Sequence, residues 1–211
     1  MTRIKVTGLV HPEDADLVAE LGVDMIGCVM HPASPRYVTS EQVWDLHRAL
    51  RGRAEVVGVF VDTPAPLVQR LVDHCRFGHA QLFGSESRSV VEGVRPHAFK
   101  AVSVAGEDEV QQAVRTYAGR RSGSPDQPGL LLNLVEDLAS DWTTAVSAAE
   151  RTSLILAAGG LNSDTVGEAV ATVRPWAVDT WEAVESAPGR LDPARLEAFV
   201  AAVRAADLRL G

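Results

Sequence analysis

Residues 55–84 read EVVGVFVDTPAPLVQRLVDHCRFGHAQLFG. The run opens with a short apolar, β-branched segment, EVVGVFV (55–61), and closes with a second, HAQLFG (79–84). Between them lies a helix candidate, 64–75, with Pro64 and Pro66 near its start. Proline is tolerated in a first helical turn, where its missing N–H has no partner to lose. The stretch is therefore one strand–helix pair followed by the strand of the next.

The same alternation continues in both directions. Strand candidates lie at 4–9, 25–30, 98–104, 129–135, 153–159 and 177–184, and helix candidates at 12–22, 40–52, 87–96, 108–121, 141–152, 162–175 and 192–208. Ser40 before Glu41, the cluster Asn162-Ser163-Asp164, and Asp192-Pro193 supply start signals. In the last helix Leu196, Phe199, Val200 and Val203 share one face, the stripe that packs on a sheet. Near-continuous apolar strands paired with amphipathic helices predict a parallel sheet covered by helices. Eight repeats favour a closed α/β fold, a single (β/α)₈ TIM barrel over residues 1–211, with an open doubly wound sheet as the alternative. In a barrel, chemistry belongs to the loops at the C-terminal ends of the strands.

Composition narrows the function. The 211 residues are 46% apolar and 23% charged, with net charge −8. An acidic chain without a basic stripe argues against nucleic acid and anionic lipid as partners. No apolar run reaches membrane-spanning length, and MTRIKVTGLV lacks a secretory pattern, so a cytoplasmic location is expected. Cys28 and Cys75 show no ligand spacing, and neither a metal nor another cofactor is expected. Lysine occurs only at Lys5 and Lys100, both in strand-like runs. Because side chains alternate along a strand, Lys5 and Thr7 point the same way.

Read at the strand ends, the chain resembles the phosphoribosylanthranilate isomerases. Lys5-Val6-Thr7-Gly8-Leu9 is similar to the family's Lys-Ile-Cys-Gly-Leu, and Ser34-Pro35-Arg36 to its Ser-Pro-Arg loop. Gln81-Leu82-Phe83-Gly84 resembles Gln-Leu-His-Gly, and Ala158-Gly159-Gly160-Leu161 the loop after strand 7. Val57 to Val61, Lys100-Ala101, Val178-Asp179, Val184-Glu185, Pro188-Gly189 and Asp192 continue the match in order. The resemblance implies a small-molecule substrate and a barrel that occurs as monomer or homodimer. It also implies that Arg36 holds the anthranilate carboxylate, a task suited to a planar guanidinium, with a surface salt bridge in the loop as the alternative.

The departures fall on the implied chemistry. Thr7 stands where the family has a cysteine that removes a proton from C2 of the opened ribose. Asn133 stands where an aspartate protonates the ring oxygen. A threonine needs a partner to act as a base, an asparagine cannot shuttle a proton, and each positioned group contributes about 10²–10⁴-fold. In the phosphate site the resemblance implies backbone N–H groups from glycine loops. Ala158, Gly159 and Gly160 keep the strand 7 loop, while Val135-Glu136-Asp137-Leu138 replaces the Gly-Gly-x-Gly loop after strand 6. Trp181-Glu182 replaces the Ser-Ser of the loop after strand 8, so Glu182 is expected either to repel a phosphate or to turn outward.

Phe83 and Trp181 are expected to wall the pocket, with Asp179, Glu182 or Lys5 handling protons. Asp179 is equally readable as a buried structural carboxylate, and Lys5 as a structural charge. A Schiff base on Lys5 or Lys100, a rim base at His31, and Cys28 as a replacement thiol or a small core residue complete the readings. Glu136, Asp137 and Asp141 read as a solvated acidic loop. Three functions follow. The first is a divergent barrel enzyme acting in specialised metabolism on a small aromatic or carboxylate-bearing molecule without phosphate, by isomerisation, cyclisation or a lyase step. The second is a genuine though impaired phosphoribosylanthranilate isomerase of tryptophan biosynthesis. The third is a non-catalytic binding protein, which a pocket plugged by Trp181 would favour.

Overall fold

The computed structural model describes residues 1–118, 127–135 and 142–211. Eight parallel strands close into a barrel: β1 (Arg3–Thr7), β2 (Met25–Val29), β3 (Glu55–Phe60), β4 (His79–Leu82), β5 (Ala98–Val104), β6 (Leu130–Leu134), β7 (Leu154–Ala158) and β8 (Ala177–Thr180). β1 pairs with β2 on one side and β8 on the other, which removes both sheet edges and excludes the open-sheet alternative.

The helices alternate with the strands: α1 (Ala15–Glu20), α2 (Ser40–Leu50), α3 (Ala65–Cys75), α4 (Arg88–Gly93), α5 (Glu107–Tyr117), α6 (Thr143–Ala149), α7 (Val166–Val173) and α8 (Pro193–Leu210). No helix among the described residues is long and apolar enough to cross a membrane. Side-chain alternation sorts the strands into two cores. Ile4, Val6, Ile26, Leu130, Leu132, Leu154, Leu156 and Val178 face outward and pack with helix residues such as Leu196, Phe199 and Val203. Met25, Val57, Phe99, Leu131, Ile155 and Ala177 form a separate cluster inside the barrel. The inward set then includes Thr7, Asn133 and Asp179, one pleat period beyond Lys5, Leu131 and Ala177. The floor is thus sealed by apolar packing while the polar residues lie toward the strands' C-terminal ends.

Local readings shift in three places. The capping residue of α2 is Thr39 rather than Ser40; its side chain accepts from Gln42 N–H while Gln42 reaches back to Thr39 N–H. The Asn162 cluster forms a turn ahead of α7: Asn162 Oδ1 accepts from Asp164 N–H at 2.8 Å, and the helix starts only at Val166. Asp192 caps α8 as expected, accepting from Arg195 N–H. The third shift matters for the site. The expected strand 177–184 stops at Thr180, and a 3₁₀ turn (Glu182–Val184) leads into a small hairpin, β9 (Glu185–Ala187) with β10 (Arg190–Leu191). Gly189 makes its turn at φ +79°, and a β-carbon there would lie 2.7 Å from Val10 Cγ2. The hairpin carries Glu185 back toward the loop after β2.

Candidate active site

A cavity of about 250 Å³ opens at the C-terminal ends of the strands. Six expected site residues line it: Thr7, Arg36, Phe83, Asn133, Asp179 and Trp181. His31, Ser34 and Gln81 join them. Lys5, Glu182, Ala158, Gly159 and Gly160 do not line it.

Lys5 nevertheless shapes the cavity from behind. It is fully buried, stands in register with Asp179 across the β1–β8 seam, and donates from Nζ to Asp179 Oδ2 at 2.8 Å. It also donates to Thr7 Oγ1. Thr7 Oγ1 in turn lies 2.8 Å from Asp179 Oδ1 and 3.0 Å from Oδ2. Burial raises the Asp179 carboxyl above its ordinary value, working against the Lys5 charge and the hydrogen bonds from Lys5 and Thr7. The cluster fits because Gly27 faces it from β2: a β-carbon there would lie 2.6 Å from Thr7 Oγ1 and 3.1 Å from Lys5 Nζ.

Asn133 enters from β6, with β7 and β8 between it and β1. Its amide nitrogen donates to Ser103 Oγ at 3.3 Å, and its buried Oδ1 has no partner among the described residues. Gln81, 4% exposed, likewise leaves Oε1 without one.

At the rim, Arg36 meets Glu185. Its Nε donates to both carboxylate oxygens, at 2.9 and 3.1 Å, and its Nη2 to Oε2 at 2.6 Å. Glu185 is buried and also accepts from Gly189 N–H at 3.0 Å, so the hairpin anchors the guanidinium. Glu185 raises the Arg36 pKa further, against burial. Nη1 has no partner among the described residues. One edge of the guanidinium is thus held by the protein.

Glu182, with its side chain 70% exposed, sits 3.5 Å from Arg36 Nη2. It has turned outward, and solvent screens it, so the expected repulsion of a phosphate in a dehydrated pocket loses its physical basis. Ala158 is the last residue of β7 and packs in the outer core, with Gly159 exposed beyond it. The strand 6 loop, Glu136 to Leu138, and the acidic residues Glu136, Asp137 and Asp141 lie outside the described residues.

Other readings resolve by contact. Lys100 is buried against Glu86, at 3.2 Å, and donates to the carbonyls of Leu82, Gly84 and Ala101, so its ammonium is engaged away from the cavity. Cys28 packs in the outer core, and burial pushes its thiol up to about 12, which removes it as a replacement base. Among the described residues no group of three or more His, Cys, Asp or Glu could hold a metal ion. Trp181 forms a wall of the open cavity and does not plug it, so the feature that would favour a non-catalytic protein is missing.

Residues 4–202 match the family profile described as N-(5'phosphoribosyl)anthranilate (PRA) isomerase. The chain belongs to this isomerase family. A curated relative, N-(5'-phosphoribosyl)anthranilate isomerase of Geobacter sulfurreducens, is 35% identical over 209 residues, covering 95% of this chain and 97% of that one. The crystal structure of phosphoribosyl anthranilate isomerase from Thermotoga maritima superposes with a TM-score of 0.84 at 29% identity, covering 97% of this chain and all of the other (100%). A family structure in complex with reduced 1-(o-carboxyphenylamino)-1-deoxyribulose 5-phosphate gives 0.82 at 29% identity, with the same coverage of 97% and 100%. These full-length likenesses overturn the expectation of a re-purposed enzyme of specialised metabolism with an unphosphorylated substrate. That expectation gave two substitutions and one exposed glutamate more weight than the rest of the chain.

Proposed function

We propose that the chain is an N-(5'-phosphoribosyl)anthranilate isomerase of tryptophan biosynthesis that works with an altered set of proton-transfer groups. The reading rests on one observation above all: Thr7, Asn133, Arg36 and Asp179, the residues the family resemblance set apart, converge on one cavity of a chain that matches the isomerases along nearly its whole length. In this reading Nη1 of Arg36 takes the anthranilate carboxylate while Glu185 holds the other edge of the guanidinium. Phe83 and Trp181 flank the aromatic ring, and the backbone after β7 contributes to holding the phosphate.

The reaction needs a proton placed on the ribose ring oxygen as the C1'–O bond opens, and a proton removed from C2' of the resulting iminium. Asn133 donates a hydrogen bond and no more. Among the described residues the titratable groups on the cavity wall, apart from Arg36, are His31 and Asp179. His31 is the group assigned to the ring oxygen, and the base belongs to the cluster at the end of β1.

Complementation tests the function. The full chain, expressed in a tryptophan auxotroph lacking this isomerase, is expected to restore growth. Soluble protein without growth would overturn the proposal.

A further inference from the structure

We propose that Thr7 and Asp179 act as a proton relay, Thr7 Oγ1 taking the proton from the substrate carbon while Asp179 takes the hydroxyl proton of Thr7. The inference rests on the isomerase reading and names its missing base.

The Lys5 ammonium can only donate, so in its contact with Thr7 the hydroxyl oxygen is the acceptor. An ionised Asp179 can only accept, so in its contact with Thr7, at 2.8 Å, the hydroxyl must donate. Thr7 has a single proton, and its position is thereby set: it points at Asp179. One lone pair of Oγ1 remains, and Thr7 is the member of the cluster with appreciable exposure. Lys5 and Asp179 are 0% and 1% exposed. A substrate carbon in the cavity therefore meets the Thr7 oxygen with a carboxylate already placed behind it to accept the proton.

Burial supports the same arrangement from a second side. It raises the Asp179 carboxyl, making the carboxylate a better proton acceptor than one in water. Lys5 from β1 is the charged group that faces it; from β7 the residue in register is Ala157, which carries no charge.

The step balances. The C2'–H electron pair forms the C1'=C2' bond, and the iminium π electrons return to nitrogen. The C2' proton goes to Thr7 Oγ1, and the proton Thr7 releases turns Asp179 into the neutral acid. The enol hydroxyl gives its proton to His31, left deprotonated when it protonated the ring oxygen, as Asp179 returns one through Thr7 to C1', leaving the ketone and the starting groups. Asp179 is a positioning residue here, since it acts through Thr7.

The test compares Thr7→Val, Thr7→Ser and Asp179→Asn in the full chain, reading kcat, KM and pH profile with phosphoribosylanthranilate as substrate. Valine keeps the volume and loses the hydroxyl. Thr7→Val is expected to lower kcat by about 10²–10⁴-fold with KM little changed, and Thr7→Ser to stay within about tenfold of the parent. The parent kcat should fall on acidification as Asp179 takes a proton, and this limb should vanish in Thr7→Val. Thr7→Ala, read alongside, repeats the loss should valine prove too rigid to fold. A Thr7→Val enzyme with parental kcat beside an inactive Asp179→Asn would make Asp179 the direct base. That would overturn the relay and leave the isomerase reading intact. A parent protein without turnover would overturn both.

Discussion

Replacing Lys5 with methionine asks whether the cluster at the end of β1 is a true buried ion pair. Methionine matches the length and apolar stem of lysine while removing the ammonium. Both partners are essentially inaccessible, and the pair is 2.8 Å long. Removing one member of such a pair typically costs about 3–5 kcal/mol, because the other is left as an uncompensated buried charge. That is a large share of the roughly 5–15 kcal/mol that holds a domain together, so the variant should fold but with a much reduced margin. The cost should depend on pH, with a definite sign. Burial already raises the Asp179 carboxyl, and losing Lys5 removes the largest influence lowering it. A carboxyl whose folded value lies above the unfolded one contributes fully below the unfolded value of about 4, and that contribution is lost as pH rises through the folded value. The Lys5→Met deficit should therefore be small near about pH 5 and grow toward pH 8, by at most about 1.4 kcal/mol per pH unit. Urea unfolding followed by circular dichroism across that range measures it directly. Lys5→Met/Asp179→Asn should recover most of the loss at the upper end. A deficit independent of pH, or a double variant no more stable than the single, would refute the reasoning.

Three further outcomes follow from named contacts. Arg36→Lys keeps the charge but loses the fork, and should raise KM by about 10–100-fold, the equivalent of one charge-assisted hydrogen bond, in steady-state assays. Gly27→Ala would place a β-carbon 2.6 Å from Thr7 Oγ1, so kcat should fall at least about tenfold while circular dichroism shows the barrel retained. Burial and the facing His97 hold His79 down to about 4, despite Glu55 at 3.0 Å. Stability from this neutral histidine is present above its ordinary value of about 6.5 and lost as pH falls toward 4, by the order of 2 kcal/mol. His79→Gln should flatten that part of the stability curve in urea titrations.

What was legible in the sequence was whatever is local. The β3–α3–β4 unit shows in the apolar runs of 55–84, and the buried face of α8 shows in Leu196, Phe199, Val200 and Val203. The shared direction of Lys5 and Thr7 follows from the pleat alone. Contacts made by closure were not legible: Lys5 meets Asp179 across 174 residues, and Arg36 meets Glu185 across 149. Glu185 belonged to a collinear motif, and only the hairpin beyond Trp181 shows that it grips the guanidinium. Gln81 was part of a motif too, and its place on the cavity wall appears only once the barrel closes. Glu182 misled because its effect depends on exposure: one charge repels strongly when dehydrated and weakly in solvent. Thr7 was judged without its partner, and Asp179 supplies one.

The most direct test of the central claim is turnover itself. Purified protein is mixed with phosphoribosylanthranilate, and the loss of its fluorescence is followed as carboxyphenylaminodeoxyribulose phosphate forms, beside Thr7→Cys/Asn133→Asp. The parent is expected to turn over measurably, and the double variant to run faster by up to about 10²–10⁴-fold for each proton-transfer group that improves. No turnover by soluble, folded parent protein at any pH would contradict the assignment.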